Sequence, residues 1–124
     1  MQVVPQLSVT LTNTPGSLAS VTNALKDASV NINALCCTEQ GDQTVVHLIV
    51  DNPEAAQPAL EGASLAEVLE LVMQNEPGAI DTIAQKCAAA GVNIRNIYAT
   101  THGDGAATVY VDVDDTVKAQ EVLS

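Results

Sequence analysis

Apolar and polar residues alternate in two short stretches, QLSVTLT and VLELVMQ, one in each half of the chain. The apolar positions are Leu7, Val9 and Leu11 in the first stretch, and Leu69, Leu71 and Met73 in the second. A period of two places these side chains on one face of an extended chain. Each stretch is therefore predicted to be a β-strand with one buried face.

After each strand the apolar residues recur at helical spacing. The positions are Leu18, Val21, Ala24 and Leu25 in the first half, and Ile80, Ile83, Ala84 and Cys87 in the second. This spacing predicts two amphipathic helices whose apolar stripes face a core. Before each helix stands Asn-x-Pro-Gly, and we expect Pro15 and Pro77 in the first helical turn, where a missing N–H costs nothing. The helices are predicted to end near Ser29 and Gly91, and a serine in a left-handed closing position would cost up to about 1 kcal/mol.

The two halves are copies of one another. A shift of 62 positions aligns Asn13 with Asn75, and it aligns the tripeptide Val-Asn-Ile at 30–32 with the same tripeptide at 92–94. Beyond these, each half continues with two strand-like runs joined by a glycine-containing turn, and then with a short helix at 53–60 or 116–123. The order β-α-β-β-α occurs twice, so the chain is a tandem duplication.

The fourth strand of each copy has to come from the chain around the repeats. We expect the first copy to end in a strand at about 63–67 that runs directly into the second copy, which gives domains of 1–66 and 67–124. No residues follow the second copy, so we predict that residues 1–5 complete its sheet. Units of about 60 residues are barely stable alone, and exposed sheet edges make a homodimer plausible.

With its repeated Asn-x-Pro-Gly loop and β-α-β-β-α order, the chain resembles the ACT domain family, as a tandem pair without an attached enzyme. The resemblance implies an α+β fold of two ferredoxin-like βαββαβ units, with antiparallel sheets and helices on one face. It also implies a regulatory protein that binds an amino acid or a related metabolite at the interface between paired domains.

The resemblance also indicates which residues hold the ligand. Asn13 and Gly16, with Asn75 and Gly78, match the loop between first strand and first helix, where the ligand of such domains lies. Asn31 and Asn93 match the asparagine that opens the second strand beside that loop. Leu11 and Met73 stand where some members carry a ligand-contacting histidine, so the ligand is not identified by this position.

General chemistry supports a ligand at these loops. The free N–H groups and dipole of a helix N-terminus favour a carboxylate, and Gly16 and Gly78 would let the ligand approach the backbone closely. An asparagine amide provides both an acceptor and donors for the rest of a zwitterion. The alternative is that the four asparagines only cap turns and strand starts, which is a common role for Asn.

Charge and composition argue against nucleic acid and membranes as partners. The net charge is −11 with four Lys and Arg residues, no Phe or Trp and two Tyr, so the basic clusters and aromatic platforms that bind nucleic acid are missing. No apolar run is long enough to span a bilayer, and the first residues do not resemble a signal peptide. We therefore expect a cytoplasmic protein. We also expect no cofactor and no catalytic activity, because neither histidine has a recognisable nucleophile or carboxylate partner from spacing.

Two alternatives to ligand sensing remain open. One is a metal- or redox-responsive module that uses Cys36, Cys37, His47 and His102, although no metal-binding spacing supports it. In an alternating strand Cys36 and Cys37 should point to opposite faces, one thiol buried and one exposed. The other alternative is a regulatory subunit that acts on an enzyme by protein–protein contact without a ligand.

Overall fold

The computed structural model describes all 124 residues and contains six strands and four helices. In chain order the elements are β1 (Gln2–Thr12), α1 (Ser17–Asp27), β2 (Ile32–Gln40), β3 (Gln43–Val50), α2 (Pro53–Ala59), β4 (Ser64–Gln74), α3 (Ala79–Ala89), β5 (Ile94–Thr101), β6 (Ala106–Val113) and α4 (Thr116–Leu123). They form two compact units, one of residues Pro5–Ala66 and the other of Met1–Val4 with Glu67–Ser124. None of the four helices is long and apolar enough to cross a membrane.

In the unit of Pro5–Ala66, which we call the first unit, β3 lies between β2 and β1 and is antiparallel to both. The alternating residues of β1 and β3 provide one apolar face, on which Leu7 and Leu48 are fully buried. Val21 and Leu25 of α1 and Ala56 of α2 complete this core. Both helices thus cover the same face of the sheet, as an α+β fold requires.

The unit of Met1–Val4 and Glu67–Ser124, the second unit, repeats this arrangement with β6 between β4 and β5. Its core joins Leu69 of β4 and Val111 of β6 to Ile83 and Cys87 of α3 and to Ala119 of α4. The predicted ferredoxin-like α+β architecture with antiparallel strands is confirmed in both units.

The N-terminal residues lie with the second unit. Val3 packs against the core of that unit, and the Gln2 amide donates a hydrogen bond to the Glu70 carboxylate at 2.5 Å. Both β1 and β4 are continuous strands of 11 residues. These contacts support the proposal that the chain's first residues complete the second unit's sheet, and a truncation described below tests it.

Both long helices end in the same hydrogen-bond pattern. Ser29 donates to the Lys26 carbonyl at 3.0 Å and Val30 to the Leu25 carbonyl at 2.9 Å. In α3 the N–H groups of Gly91 and Val92 make the equivalent bonds at 3.0 and 2.9 Å. This Schellman arrangement needs a left-handed residue after the helix. Ser29, with φ of 57°, is the one non-glycine residue with positive φ, as the sequence predicted.

Two expectations about the helix starts are wrong. Pro15 and Pro77 precede the helices rather than occupying their first turn, because Gly16 and Gly78 are the N-cap residues. Leu18 and Ile80 were expected in the core but are 40% and 44% exposed. The exposed Ala84 also departs from the predicted stripe.

Candidate ligand-binding site

The loops between the first strand and the first helix of each unit share an unusual helix start. The N-caps Gly16 and Gly78 have φ of 90° and 91°, a left-handed conformation that favours glycine. A Cβ added at either position would meet nothing within 4 Å. The backbone conformation, rather than crowding by the protein, therefore accounts for glycine at both positions.

A glycine N-cap leaves the first helical turn without a side-chain acceptor. The Ala79 N–H donates to the Glu76 carbonyl at 3.1 Å and the Thr82 N–H to the Gly78 carbonyl at 2.9 Å. The N–H groups of Ile80 and Asp81 between them have no partner in the protein. The N–H groups of Leu18 and Ala19 in α1 are free in the same way. Each helix thus presents two free donors with the positive end of its dipole, a setting that suits an anion.

Asn13 and Asn75 hold their loops to the neighbouring hairpin turn through the backbone. The Asn13 N–H donates to the Asp42 carbonyl and the Asn75 N–H to the Gly105 carbonyl, each at 2.8 Å. Their side chains differ, because Asn13 Nδ2 also donates to the Gly41 carbonyl at 3.3 Å. The Asn75 amide makes no hydrogen bond within the protein, so only Asn75 has all its donors and acceptors available.

A cavity of about 250 Å³ opens beside the Asn75 loop in the second unit. Met73 and Asn75 line it together with Ile80 of α3, which reaches it because this side chain is not buried in the core. The remaining lining residues come from β4, the loop, α3, β5 and β6: Gln74, Glu76, Ala79, Ala99, Thr100, Thr101 and Ala107. Its walls are mainly apolar, and the free N–H group of Ile80 belongs to a lining residue.

The first unit differs at the corresponding positions. A cavity of about 210 Å³ includes Leu11, but it lies between β1, α1 and the end of α2, and no residue of the loop at 13–16 lines it. Where the second unit has Ala99, Thr101 and Ala107, the repeat places Cys37, Glu39 and Thr44 in the same strand registers. Larger and charged side chains therefore occupy this position in the first unit.

Asn31 and Asn93 do not lie beside the loop of their own unit. The Asn31 N–H donates to Asp51 Oδ1 at 2.9 Å, just beyond the end of β3, whereas Asn13 bonds to Asp42 just before its start. β3 has eight residues, so the two asparagines are separated by about 25–30 Å at the strand rise of 3.3–3.4 Å per residue. Asn93 makes the equivalent bond to Asp114 Oδ1 at 2.9 Å. The expectation that each pair meets within one unit is thus wrong.

The sheet face opposite the helices carries a different row of side chains in each unit. In the first unit Ser8 Oγ lies 2.8 Å from His47 Nδ1, and Cys36 is opposite His47 in the register. The corresponding row of the second unit is Glu70, Tyr110 and Tyr98, in which the two rings stack at 5.3 Å between centroids. Burial, and then the hydrogen bond and charge of Glu70, raise the pKa of Tyr110 to about 12.

The structure does not assemble the residues of the metal- or redox-responsive alternative. Cys37 lies opposite Val46 in the register, on the helix side of the sheet, while Cys36 and His47 lie on the other side. His102 belongs to the β5–β6 turn of the second unit. No three His, Cys, Asp or Glu side chains are grouped for a metal ion. Burial, followed by the charge of Cys36, raises the pKa of the Cys37 thiol, which opposes the thiolate form that redox chemistry uses.

Sequence reasoning found Met73 and Asn75 but missed most of the cavity. Ile80 was assigned to the core because it continues a helical apolar stripe, and Ala99 and Ala107 attracted no attention as single alanines. A comparison of side-chain size between the repeats would have found them, because alanine replaces Cys37 and Thr44 there.

The chain matches one protein-family model and is similar to several solved structures. A family model described as an ACT domain pair matches residues 1–124. Protein BT0572 from Bacteroides thetaiotaomicron is similar, with 31% sequence identity and a TM-score of 0.89 over 98% of this chain and 86% of that one. The ligand-free regulatory subunit of aspartate kinase from Thermus thermophilus has 16% identity and a TM-score of 0.69 over 99% and 95% of the chains. The corresponding subunit from Thermus flavus has 17% identity and a TM-score of 0.63 over the same shares. No curated protein sequence gives a significant match.

Proposed function

The chain belongs to the ACT domain family, as an ACT domain pair, and on this premise we propose that it is a regulatory protein that senses an amino acid or a related metabolite. The proposed binding position is the loop between first strand and first helix, with Asn75 and Gly78 in the second unit and Asn13 and Gly16 in the first. Leu11 and Met73 adjoin these loops at the ends of β1 and β4.

The observation that carries the proposal is the cavity of about 250 Å³ beside Asn75. It lies at a helix start whose Ile80 and Asp81 N–H groups are free, which suits a carboxylate. The free amide of Asn75 and the carboxylate of Glu76 line the same space and offer acceptors for an ammonium group. A cavity that presents donors and acceptors within one small volume matches the two charges of an amino acid.

Asn31 and Asn93 need separate treatment, because neither lies near the proposed binding loop of its own unit. A ligand held at the loop of one unit cannot touch the asparagine that opens β2 or β5 of that unit, at about 25–30 Å. Their backbone bonds to Asp51 and Asp114 give them a structural role at the strand start. If either of them contacts ligand, that ligand is bound at the loop of another ACT unit.

The proposed output is regulation rather than catalysis. The aspartate kinase proteins from Thermus that share this fold are regulatory subunits, and we propose by analogy that the present chain passes its signal through a homodimer or to a partner enzyme in the cytoplasm. A ligand changes such an assembly when it binds two states of it with different affinity. Regulation by protein contact without a ligand is the alternative.

A thermal-shift screen of the twenty amino acids tests the proposal. A ligand present at a hundred times its dissociation constant stabilises the protein by about 2.7 kcal/mol. We expect at least one amino acid to raise the unfolding midpoint, and Asn75→Ala to abolish that shift. Asn23→Ala serves as the control, because Asn23 is an exposed asparagine on α1 whose side chain bonds to Asp27. A shift that survives in Asn75→Ala and in Asn13→Ala would contradict the proposed position, and no shift with any amino acid would contradict the function.

A further inference from the structure

We propose that the protein binds one ligand per chain, in the second unit, and that this ligand is an amino acid with a neutral, short aliphatic side chain. The inference rests on the proposed function and specifies the ligand class and the stoichiometry. It comes from three observations: the size of the cavity, the chemistry of its walls, and the side chains that replace them in the first unit.

The volume limits the ligand. A cavity of about 250 Å³ is of the size that takes a small metabolite, below the roughly 300–1,000 Å³ of pockets for drug-sized ligands. With the carboxylate at the α3 N-terminus and the ammonium at Asn75, the remaining space fits a side chain of about the size of valine or leucine. No aromatic side chain lines the cavity, so the ring of phenylalanine or tryptophan would find no stacking partner there.

The walls that face this remaining space are apolar. Met73 and Ile80 contribute the large apolar surfaces, and the methyl groups of Ala79, Ala99 and Ala107 contribute the small ones. Ile80 is 44% exposed without a ligand, so an aliphatic side chain would cover apolar surface that now contacts water. Each methylene buried in this way adds about 0.8 kcal/mol, which is about fourfold in affinity.

The charges around the cavity oppose an acidic ligand. Glu76 is the charged residue in the lining, and no Lys or Arg contributes to it. Asp81 stands in the first turn of the same helix, and Lys86 lies in its last turn. A second carboxylate would therefore meet a negative field with no nearby cation to offset it.

The corresponding position in the first unit carries larger side chains. Cys37 replaces Ala99 and Thr44 replaces Ala107, so two larger side chains stand where the cavity needs methyl groups. Glu39 replaces Thr101 and adds a negative charge on this side of the first unit. The Asn13 amide is already bonded to the Gly41 carbonyl. This bond uses one donor of the Asn13 amide and orients it toward the hairpin turn, and together with the larger side chains it leads us to assign the binding site to the second unit.

Isothermal titration calorimetry with valine, leucine, alanine, glycine, aspartate, lysine and phenylalanine tests the inference. We expect a stoichiometry of one per chain, with valine or leucine tightest and each lost methylene costing about fourfold in affinity. Aspartate should show no measurable binding. Tightest binding of lysine or aspartate that still requires Asn75 would overturn the aliphatic class and leave the proposed function standing, whereas no binding of any amino acid would overturn both.

Matched substitutions in the two units test the assignment to one site. Ala99→Leu fills the cavity from an exposed position on an edge strand, so we expect loss of valine binding of at least tenfold. Ile80→Ser is the second variant, also at an exposed side chain. It should weaken valine binding without unfolding the protein. Cys37→Ala, the control at the same register in the first unit, should leave affinity and stoichiometry unchanged. Two valines per wild-type chain, or full binding in Ala99→Leu, would overturn the assignment.

Discussion

Cys37 and Ala99 occupy the same strand position in the two halves of the chain, next to loops of almost identical geometry. Both loops have a glycine N-cap in the left-handed region, two free N–H groups, and an asparagine bonded to the hairpin turn at 2.8 Å. The backbone has been retained in both copies, whereas the side chains that face the loop have diverged. The comparison shows that both copies keep the same helix start, and it motivates the proposal that the side chains facing the loop decide which unit binds a ligand.

The opposite face of the sheet has diverged as well. The hydroxyl–imidazole pair of Ser8 and His47 stands where the second unit has the Glu70–Tyr110 pair. Tyr98 and Tyr110 are the only tyrosines of the chain, which has no Phe or Trp, so tyrosine fluorescence and absorbance report on the second unit alone. Unfolding of the second unit can therefore be followed separately through its tyrosines.

Removal of Met1–Val4 should produce the largest difference between the units. The second unit would lose the packing of Val3, its hydrogen bond from Gln2 and a short strand segment, at about 1 kcal/mol for each hydrogen bond or half-buried side chain. We expect a loss of about 2–4 kcal/mol, measured by urea unfolding monitored by tyrosine fluorescence. Val3→Ala is the smaller matched change. An unchanged midpoint in the truncated protein would show that these residues do not complete the second unit.

Alkaline pH should weaken the second unit through Tyr110. Its pKa is raised from 10 in the unfolded chain to about 12 in the folded protein, so the folded state binds more protons between these values. The stabilising contribution is complete below pH 10 and is lost as pH rises to 12, at up to about 1.4 kcal/mol per pH unit.

The absorbance of tyrosinate in a Tyr98→Phe background measures this titration directly. Tyr110→Phe should remove the slope of stability against pH in this range. Glu70→Gln should lower the pKa of Tyr110 without returning it fully to 10, because burial is the larger cause of the shift. Titration of the folded protein near pH 10 in the Tyr98→Phe background would contradict the raised value.

Gly91→Ala should destabilise the protein by about 1–2 kcal/mol, because an L-residue in the left-handed region is strained by that amount. Gly91 has φ of 72° with no atom near its missing Cβ, so backbone conformation is the only source of the effect. Thermal unfolding measures it. Ala89→Gly, two residues earlier and inside the helix, is a control that removes rather than adds a methyl group. No loss of stability in Gly91→Ala would show that the Schellman bonds do not require the left-handed conformation.

The converse substitution, Ser29→Gly, should give the smallest effect, a gain of a few tenths to about 1 kcal/mol. Glycine relieves the strain at φ of 57° but also increases the entropy of the unfolded chain, which offsets part of the gain. The same unfolding measurement applies, and a loss of stability would mean that the serine hydroxyl compensates for the strain.

The sequence predicted those parts of the fold that depend on local pattern. The alternation around Leu7 and Leu69, the repeat itself and the left-handed Ser29 follow from periodicity and backbone sterics. The helix starts were placed differently because proline is acceptable both in the first turn and before the N-cap. Only the positive φ of Gly16 and Gly78 distinguishes the two possibilities.

The site was harder to predict because it depends on the spatial separation of residues that are close in sequence and on the space left by small side chains. The spacing of 18 residues between Asn13 and Asn31 includes a helix of 11 residues, which returns the chain to the other end of the sheet. The two asparagines are therefore close in sequence and far apart in space. Ala99 and Ala107 have small side chains and so leave room for the cavity. Hydrophobic periodicity predicts which face of a strand is buried but not how much volume its side chains occupy.

Residues Met1–Val4 precede the first repeat in the chain but belong to the compact unit built from the second. A duplicated gene normally frees one copy to decay once the other carries the function. Here the first copy follows directly on Met1–Val4, which the second unit uses, so loss of that part of the chain would also remove support for the half that has the cavity. Cutting the chain between Ala66 and Glu67 would accordingly leave the first unit whole and deprive the second of Met1–Val4, so selection can reshape the first copy but cannot discard it.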